Sequence, residues 1–590
     1  MHKLSEIQIL NYRSCKNASL PLDDFTPIVG YNNAGKSNIL SAIKWLLKPS
    51  ALTTDDFYDT ETKVEITGII NGLSDEILDR LPANQSTAIK PYCPNGSLQI
   101  RRVLNAPGAV KKIQNLVRDP KVLDKSADDA WQKFPTGIPQ ALNVLFPTPV
   151  HVGAMENVTD DVGKSKSGST IGELIKNIIT PVYEAHGEAL QASLDDIGKR
   201  LSADGQERAQ ELKDFDEEAS TRVEELFPGL SIRLHVPPPT LQDLLKLATV
   251  RAKEEDFDWQ HFTSLGHGAQ RSIQMALIRY LAEIKSTLEE NASRTLLLID
   301  EPELYLHPQG IEQVRVALKS LSQINYQVVF STHSPLLIHQ DEISNTLIVN
   351  KNNVNGTQTK KPLSSAISEV ITDGPSQTRT LFEFGNAAQI LFCDRVLITE
   401  GTTERALIPD VFSTLKGKTL GQSRFALVGL GGSGSICKSL KILNAMTIDS
   451  KAVADLDFAF KEAPKTEILN AADPDITAAK IIFQRIAEPM GIDLGHDGFP
   501  TRRGELNASE AFAAFAKEAD GEAIANNLHD KLLNSNIWLW KKGAIEHHLG
   551  LTGKTEADWA HFRTRLRDEV CEDVISEIES VRQFLDWLEQ

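Results

Sequence analysis

Residues 30–37 read GYNNAGKS, an instance of G-x-x-x-x-G-K-S, and this octet narrows the possible folds more than any other stretch. The apolar run FTPIV at 25–29 precedes it and reads as a short β-strand. KSNILSAIKWLL at 36–47 follows and reads as an amphipathic helix. Strand, loop and helix in that order make a phosphate cradle. Gly30 and Gly35 let the backbone turn its N–H groups toward an anion with no Cβ in the way, and Asn33 lies inside the turn. The helix start adds partial positive charge and orphan donors. Lys36 is expected to reach the β- and γ-phosphates of ATP, and Ser37 to ligate Mg²⁺.

At 590 residues the chain exceeds a single hydrophobic core, so two to four domains are expected. Hydrophobic content of 41% and charged content of 24% are ordinary for a globular protein. A net charge of −18 argues against a general nucleic-acid coat protein. It leaves room for a nuclease, which gathers carboxylates around metals and keeps its basic surface local. No apolar run is long enough to span a bilayer, and the start MHKLSEIQIL lacks a signal-peptide pattern. Five scattered cysteines form no C-x-x-C pair. A cytoplasmic protein with reduced thiols is expected.

Residues 4–10 and 17–22 alternate apolar and polar, so they read as two strands joined by Asn11-Tyr12-Arg13-Ser14. From 171 to 226 apolar residues recur at three- and four-residue spacing, a helical insertion, and Pro237-Pro238-Pro239 marks the return from it. Three signals then follow in order. SLGHGAQR at 264–271 opens an apolar helix. TLLLIDEPE at 295–303 is a buried strand ending in Asp300 and Glu301, suited to holding Mg²⁺ and to orienting and deprotonating water. VVFSTHSP at 328–335 is a strand ending near His333. Loop, signature, Asp-Glu and Ser-Thr-His in this order resemble an ABC-type ATPase head of the RecF/SMC-like branch. The resemblance implies that Arg13 and His333 serve the nucleotide, His333 at the γ-phosphate. It also implies that the helix start at 264–271, with His267 at the usual serine position, offers N–H donors to a γ-phosphate across a dimer.

The polar stretch 351–377 reads as a linker. Beyond it, RVLITEGTTE at 395–404, FALVGLGGSG at 425–434 and AVADLD at 452–457 read as strands ending in glutamate, in a Gly-rich turn and in D-x-D. Strands alternating with helices imply a parallel sheet with its active groups at the carboxyl ends. Strand alternation is expected to place Asp455 and Asp457 on one side, and Glu404 lies one helical turn beyond Glu400. Such carboxylates are hard ligands for Mg²⁺ or Mn²⁺. NIWLWKKGAIE at 536–546 is a strand followed by Lys-Gly-x-x-Glu. Lys542 can offset charge on a pentavalent phosphate, with Lys541 competing for the role, and Glu546 can complete a second metal site. Residues 554–590 read as one or two closing amphipathic helices. The acidic set resembles a Toprim domain.

An ABC-type head followed by a Toprim domain with E-G-x-x-E, D-x-D and K-G-x-x-E resembles the OLD (overcoming lysogenization defect) family over nearly the whole chain. Gabija and retron-associated nucleases share that layout. The resemblance implies an α/β protein with an ATPase N-terminal lobe at 1–165, a helical insertion at 166–230 that serves dimerisation, an ATPase C-terminal lobe at 231–375 and a Toprim nuclease domain at 376–590. It implies an ATP-regulated DNA endonuclease that uses Mg²⁺ or Mn²⁺ and serves in anti-phage defence. A homodimer or larger assembly, and a helicase or a reverse transcriptase with its RNA as partner, are implied too. Two-metal hydrolysis is expected, with Glu400, Asp455 and Asp457 at one ion, Glu404 and Glu546 at the other, and Lys542 at the phosphate. None of the eight tyrosines follows Tyr326, so the Toprim half carries no tyrosine nucleophile and water is the attacking group. The alternative is a RecF/SMC-like ATP-dependent DNA-binding repair or sensor protein that never cuts; Glu301 and the Toprim carboxylates count against it.

Overall fold

A computed structural model describes residues 1–122, 128–153, 170–237, 240, 250–254, 258–288, 293–370, 386–501 and 503–590. The chain divides into two compact units, one of residues 1–12, 21–25 and 37–337, the other of residues 13–20, 26–36 and 338–590.

In the first unit an antiparallel ribbon runs Trp131–Lys133, Gln114–Arg118, Leu98–Leu104, Val64–Asn71, Lys3–Tyr12. A parallel trio has Thr295–Asp300 between Val150–Val152 and Tyr326–Ser331. All six residues of TLLLID and of YQVVFS are buried, as expected of parallel strands covered on both faces. Helix Pro308–Ser322 packs Ile311, Val314, Leu318 and Leu321 against Leu297, Ile299, Val328 and Phe330. Polar clamps fix the N-terminal strand. Gln327 accepts from the Leu4 N–H at 2.9 Å and donates to the carbonyls of Leu4 and Asp23. Buried Arg294 donates to the carbonyls of His2 and Tyr326 and pairs with Asp24 at 2.8 Å. Helices Thr170–Leu201 and Gln210–Leu226 occupy the stretch read as helical, and Leu190, Ile197, Phe215 and Leu226 are exposed along them. Pro238 and Pro239 lie outside the described residues.

In the second unit the hairpin Leu347–Asn352 and Gly356–Thr359 runs into the start of the stretch, 351–377, that reads as a linker. The difference has a simple cause: the buried apolar residues Leu347, Ile348 and Val349 precede that stretch, and the strand residues inside it, Lys351-Asn352 and GTQT, are polar or small, so no apolar alternation betrays them. Residues 371–377 of that stretch lie outside the described residues. Leu347 and Ile348 pair in parallel with Ile28 and Val29, the strand that delivers the phosphate loop.

The same unit holds a four-stranded parallel sheet in the order Phe425–Gly429, Arg395–Thr399, Asp449–Asp455, Ile537–Trp540. Its two faces alternate residue by residue. Val396, Ile398, Ala452, Ala454, Ile537 and Leu539 meet a cluster with Phe458, Phe483, Phe512 and Phe515. Leu397, Val453, Trp538 and Trp540 meet Phe584, Leu585 and Leu588 of the closing helix Ile578–Glu589. Each such large side chain contributes about 1.5–3 kcal/mol by leaving water. The closing helices are three, Glu556–Asp568, Cys571–Val574 and Ile578–Glu589, where one or two are expected. Among the described residues no helix is long and apolar enough to cross a membrane.

Candidate functional site

The phosphate loop is shaped by its neighbours in the second unit. A Cβ on Gly30 would meet the Val349 carbonyl oxygen at 2.2 Å, and one on Gly35, with φ 102°, would meet Thr357 Oγ1 at 2.1 Å. Only glycine fits either position. Thr357 donates to the Ala34 carbonyl at 2.8 Å and lies 2.8 Å from Ser14 Oγ, so the hairpin hydroxyl props the loop. Asn33 adopts φ 67°, which asparagine tolerates better than most residues. Lys36 is buried, and its ammonium donates to the carbonyls of Gly30 at 3.0 Å and Tyr31 at 3.2 Å. Ser37 is exposed in the first turn of helix Lys36–Leu47. Arg13 follows Asn11 in the tight turn, both left-handed at φ 48° and 58°.

In the first unit, Asp300 ends its strand and accepts from the Ser331 hydroxyl. Buried Arg271 donates to the carbonyls of Asp300 and Glu301, each at 3.1 Å. Glu301 stands at φ 49°, strained for a non-glycine residue, and its N–H donates to the Ser331 carbonyl at 3.1 Å. His333 Nε2 faces Glu301 Oε1 at 3.6 Å. Glu303 fixes the turn carrying that histidine, accepting from the Thr332 hydroxyl at 2.8 Å and the His333 N–H at 2.7 Å. Burial pushes the Glu303 carboxyl above its usual range. His267 opens helix His267–Leu288, its ring centroid 4.9 Å from that of Tyr305.

At the carboxyl ends of the parallel sheet the acids are arranged differently. Glu400 follows strand Arg395–Thr399, and its carboxylate takes hydrogen bonds from the Asp455 N–H and the Ser433 hydroxyl. Burial, with Asp457 and Glu404 nearby, pushes Glu400 up to about 7. Buried Glu404 accepts from the Gly401 N–H at 3.1 Å, and burial together with Glu546 raises its pKa. Asp455 is raised well above the ordinary aspartate value by burial and by Glu404, Glu400 and Glu546. Buried Glu546 accepts from the Thr403 hydroxyl at 2.6 Å.

Two sequence expectations change here. Asp457 does not continue the strand: Asp449–Asp455 ends at Asp455, and Asp457 sits in the first turn of helix Leu456–Lys461, paired with Lys461 at 3.6 Å. Strand alternation therefore does not relate the two aspartates: the strand gives way to a helix at Leu456, whose N–H donates to the Gly543 carbonyl at 2.7 Å, and Asp457 lies near Glu400 instead. Lys542 extends its ammonium to Glu577 at 2.6 Å. The ammonium among the acids belongs to Lys554, 3.3 Å from Glu546 Oε2. Burial opposes its charge, but Glu546, Asp455 and Glu404 hold its pKa above the usual lysine value. Lys554, Thr403, Ser433, Thr357 and Glu303 were not singled out from the sequence. Lys554 lies eight positions beyond Glu546, and no local pattern connects them.

The residues present fit hard divalent cations. Glu400 Oε2 and Asp455 Oδ1 are buried without a hydrogen-bond partner, and every acidic group with a raised pKa here is a carboxylate. Among the described residues no three His, Cys, Asp or Glu side chains are gathered tightly enough to ligate one ion.

Residues 2–90 and 118–338 match the AAA ATPase domain family, and residues 391–457 match the TOPRIM domain of overcoming lysogenization defect protein-like proteins. The chain is 34% identical to the Old nuclease of Escherichia phage P2 across 99% of this chain and 100% of that one. It is 23% identical to the endonuclease GajA of Bacillus cereus (strain VD045), over 70% of this chain and 68% of GajA. The solved SmcHead bound to the C-winged helix domain of ScpA aligns with 62% of this chain and 99% of its own, at 15% identity and a TM-score of 0.37.

Proposed function

The chain belongs to the OLD nuclease family, an ATPase joined to a TOPRIM nuclease domain, and on that premise we propose that it is an ATP-regulated, divalent-metal-dependent DNA endonuclease. The observation that carries the reading is the carboxylate set Glu400, Glu404, Asp455 and Glu546, with unpartnered buried oxygens on Glu400 and Asp455. Glu400, Asp455 and Asp457 would hold one Mg²⁺ or Mn²⁺, and Glu404 and Glu546 would help hold a second. Bound there, the ions supply water activation and Lewis-acid stabilisation of the leaving oxygen.

The chain's own residues do the rest. Thr403 and the Gly401 N–H hold Glu546 and Glu404 in place. Lys554 brings a positive charge to the phosphate as negative charge builds on it. Lys542 reaches the phosphate only by releasing Glu577. Gly30, Asn33, Gly35, Lys36, Ser37 and Arg13 receive the ATP phosphates and their Mg²⁺. Asp300 serves that Mg²⁺, Glu301 orients and deprotonates the attacking water, and His333 meets the γ-phosphate. The helical insertion pairs with a second copy of the chain, using the exposed apolar residues of its helices. The activity serves in anti-phage defence, alone or with a helicase or a reverse transcriptase and its RNA.

The test is Asp455→Ala in the full chain. Mg²⁺- or Mn²⁺-dependent cleavage of plasmid and linear DNA falls by about 10⁴-fold or more, as loss of a whole ion's chemistry requires, while ATP binding stays. Cleavage that survives the change removes the site assignment; a wild-type protein that binds DNA with ATP and never cuts it returns the clamp reading.

A further inference from the structure

Tyr31, the first residue after Gly30 in the phosphate loop, is tied to two elements of its own unit. Its hydroxyl donates to the Lys351 carbonyl at 2.5 Å and accepts from the Lys351 N–H at 2.9 Å. Its ring lies under the guanidinium of Arg424, 4.9 Å from the centroid. Arg424 belongs to the nuclease sheet: it immediately precedes strand Phe425–Gly429 and stands in the left-handed region at φ 60°. Its carbonyl accepts from the N–H groups of Asp394 and Arg395, and its guanidinium donates to Asp394 Oδ2 at 2.8 Å. One strained residue thus joins the starts of two adjacent strands. Strand Arg395–Thr399 runs directly into Glu400, and strand Phe425–Gly429 into the Gly-rich turn of Ser433. A second tie runs beside it, from Lys360 at the end of the hairpin to the Asp394 carbonyl at 3.4 Å.

The other end of this chain of contacts is chemically exposed to nucleotide. Lys36 holds the carbonyls of Gly30 and Tyr31, and a phosphate drawn to the same ammonium competes with both. Whatever moves the Tyr31 peptide moves the ring on which Arg424 rests. Arg424 itself contributes little to folding, since its side chain is 60% exposed. Its geometry nonetheless is costly to adopt and specifically held, which is the pattern of a switch element.

We infer that the Tyr31–Arg424–Asp394 contact transmits nucleotide occupancy of the phosphate loop to the strands that carry Glu400 and the Ser433 turn, and so sets the rate of DNA cleavage. The inference rests on the nuclease reading above. Guanidinium planarity is central to it: lysine keeps the charge facing Asp394 but cannot lie flat on a tyrosine ring.

The experiment compares wild type, Arg424→Gln and Arg424→Lys in the full chain. Plasmid cleavage in Mg²⁺ is measured with and without ATP or a non-hydrolysable analogue. Hydrogen exchange of residues 394–400 and 424–429 is followed under the same conditions. In the wild type the two cleavage rates differ by about fivefold or more, the low end of site-to-site coupling, and exchange in both segments changes on adding nucleotide. In both variants the ratio collapses to within about twofold of one and the exchange change disappears, while ATP affinity and nucleotide-free cleavage stay. A variant that keeps the full nucleotide response, or a wild type that cleaves equally with and without nucleotide, overturns the inference. Because exchange is read without cleavage, a protein that never cuts DNA yet shows the Arg424-dependent exchange change fails the nuclease reading and keeps the relay.

Discussion

At the end of strand Thr295–Asp300 the carboxylate of Asp300 is met by the Ser331 hydroxyl, and Arg271 holds the backbone carbonyls on either side. At the ends of strands Arg395–Thr399 and Asp449–Asp455 several carboxylates lie near one another, and burial with their mutual repulsion raises Glu400, Glu404 and Asp455 together. Both regions are acidic strand ends in parallel sheets. The first is satisfied by hydrogen bonds from the protein itself. The second is left electrostatically incomplete, the condition in which a divalent ion gains most. On the proposed reading, the contrast separates an acid placed to act on water from acids placed to hold metal.

The largest effect expected at the first strand end comes from Glu301→Gln. It removes the charge facing His333 while keeping the shape, so ATP hydrolysis falls by about 10²–10⁴-fold in a phosphate-release assay. Metal-dependent DNA cleavage without nucleotide is unchanged; a parallel loss of cleavage breaks the division of labour between the two regions. Next comes the lysine pair. Lys554→Ala, which takes the ammonium from beside Glu546, lowers cleavage by about 10²–10³-fold, whereas Lys542→Ala, which frees Glu577, changes it only a few-fold. Equal losses would return Lys542 to the phosphate and sharpen the picture in the other direction.

The smallest effect is thermodynamic. A carboxyl with a folded pKa of about 7, as at Glu400, favours the proton. Below pH 4.5 both folded and unfolded states are protonated and nothing is lost; as pH rises through 7 the unfolded state ionises first and the fold loses stability, by at most about 3 kcal/mol. Thermal melts in chelator therefore fall between pH 5 and pH 8. Mg²⁺ restores more at pH 8 than at pH 5, and Glu400→Gln flattens the dependence. A flat wild-type profile breaks the claim that these acids are mutually strained.

The ATPase motifs were legible because each is local. A phosphate loop needs glycines at fixed offsets inside eight residues, and TLLLIDE announces a buried strand and its acidic end in one run. E-G-x-x-E was legible for the same reason. D-x-D was legible as a motif but its geometry was not, because the alternation argument assumes a strand that in fact stops at Asp455. The hairpin 347–359 stayed hidden because only three apolar residues, Leu347 to Val349, open it before the polar run begins, and its value lies in one hydroxyl, Thr357 Oγ1, packed on Gly35. The helices Pro474–Ala487, Ala508–Lys517 and Ala519–Leu533, which supply the aromatic face of the nuclease sheet, carried no motif and drew no expectation.

What the sequence determined alone is the set of chemical parts: a phosphate loop, a strand-end Asp-Glu, and three acidic segments of an OLD-type nuclease. Those parts are encoded by residue type at short range, where backbone geometry is nearly fixed by a few neighbours. What only the tertiary structure decided is which charge meets which. Lys554 rather than Lys542 faces the acids, Thr403 reaches Glu546 across 143 positions, and Arg424 comes to rest on a loop tyrosine almost four hundred residues upstream. Coulomb and hydrogen-bond energies depend on distance in space, and no spacing along the chain contains that distance.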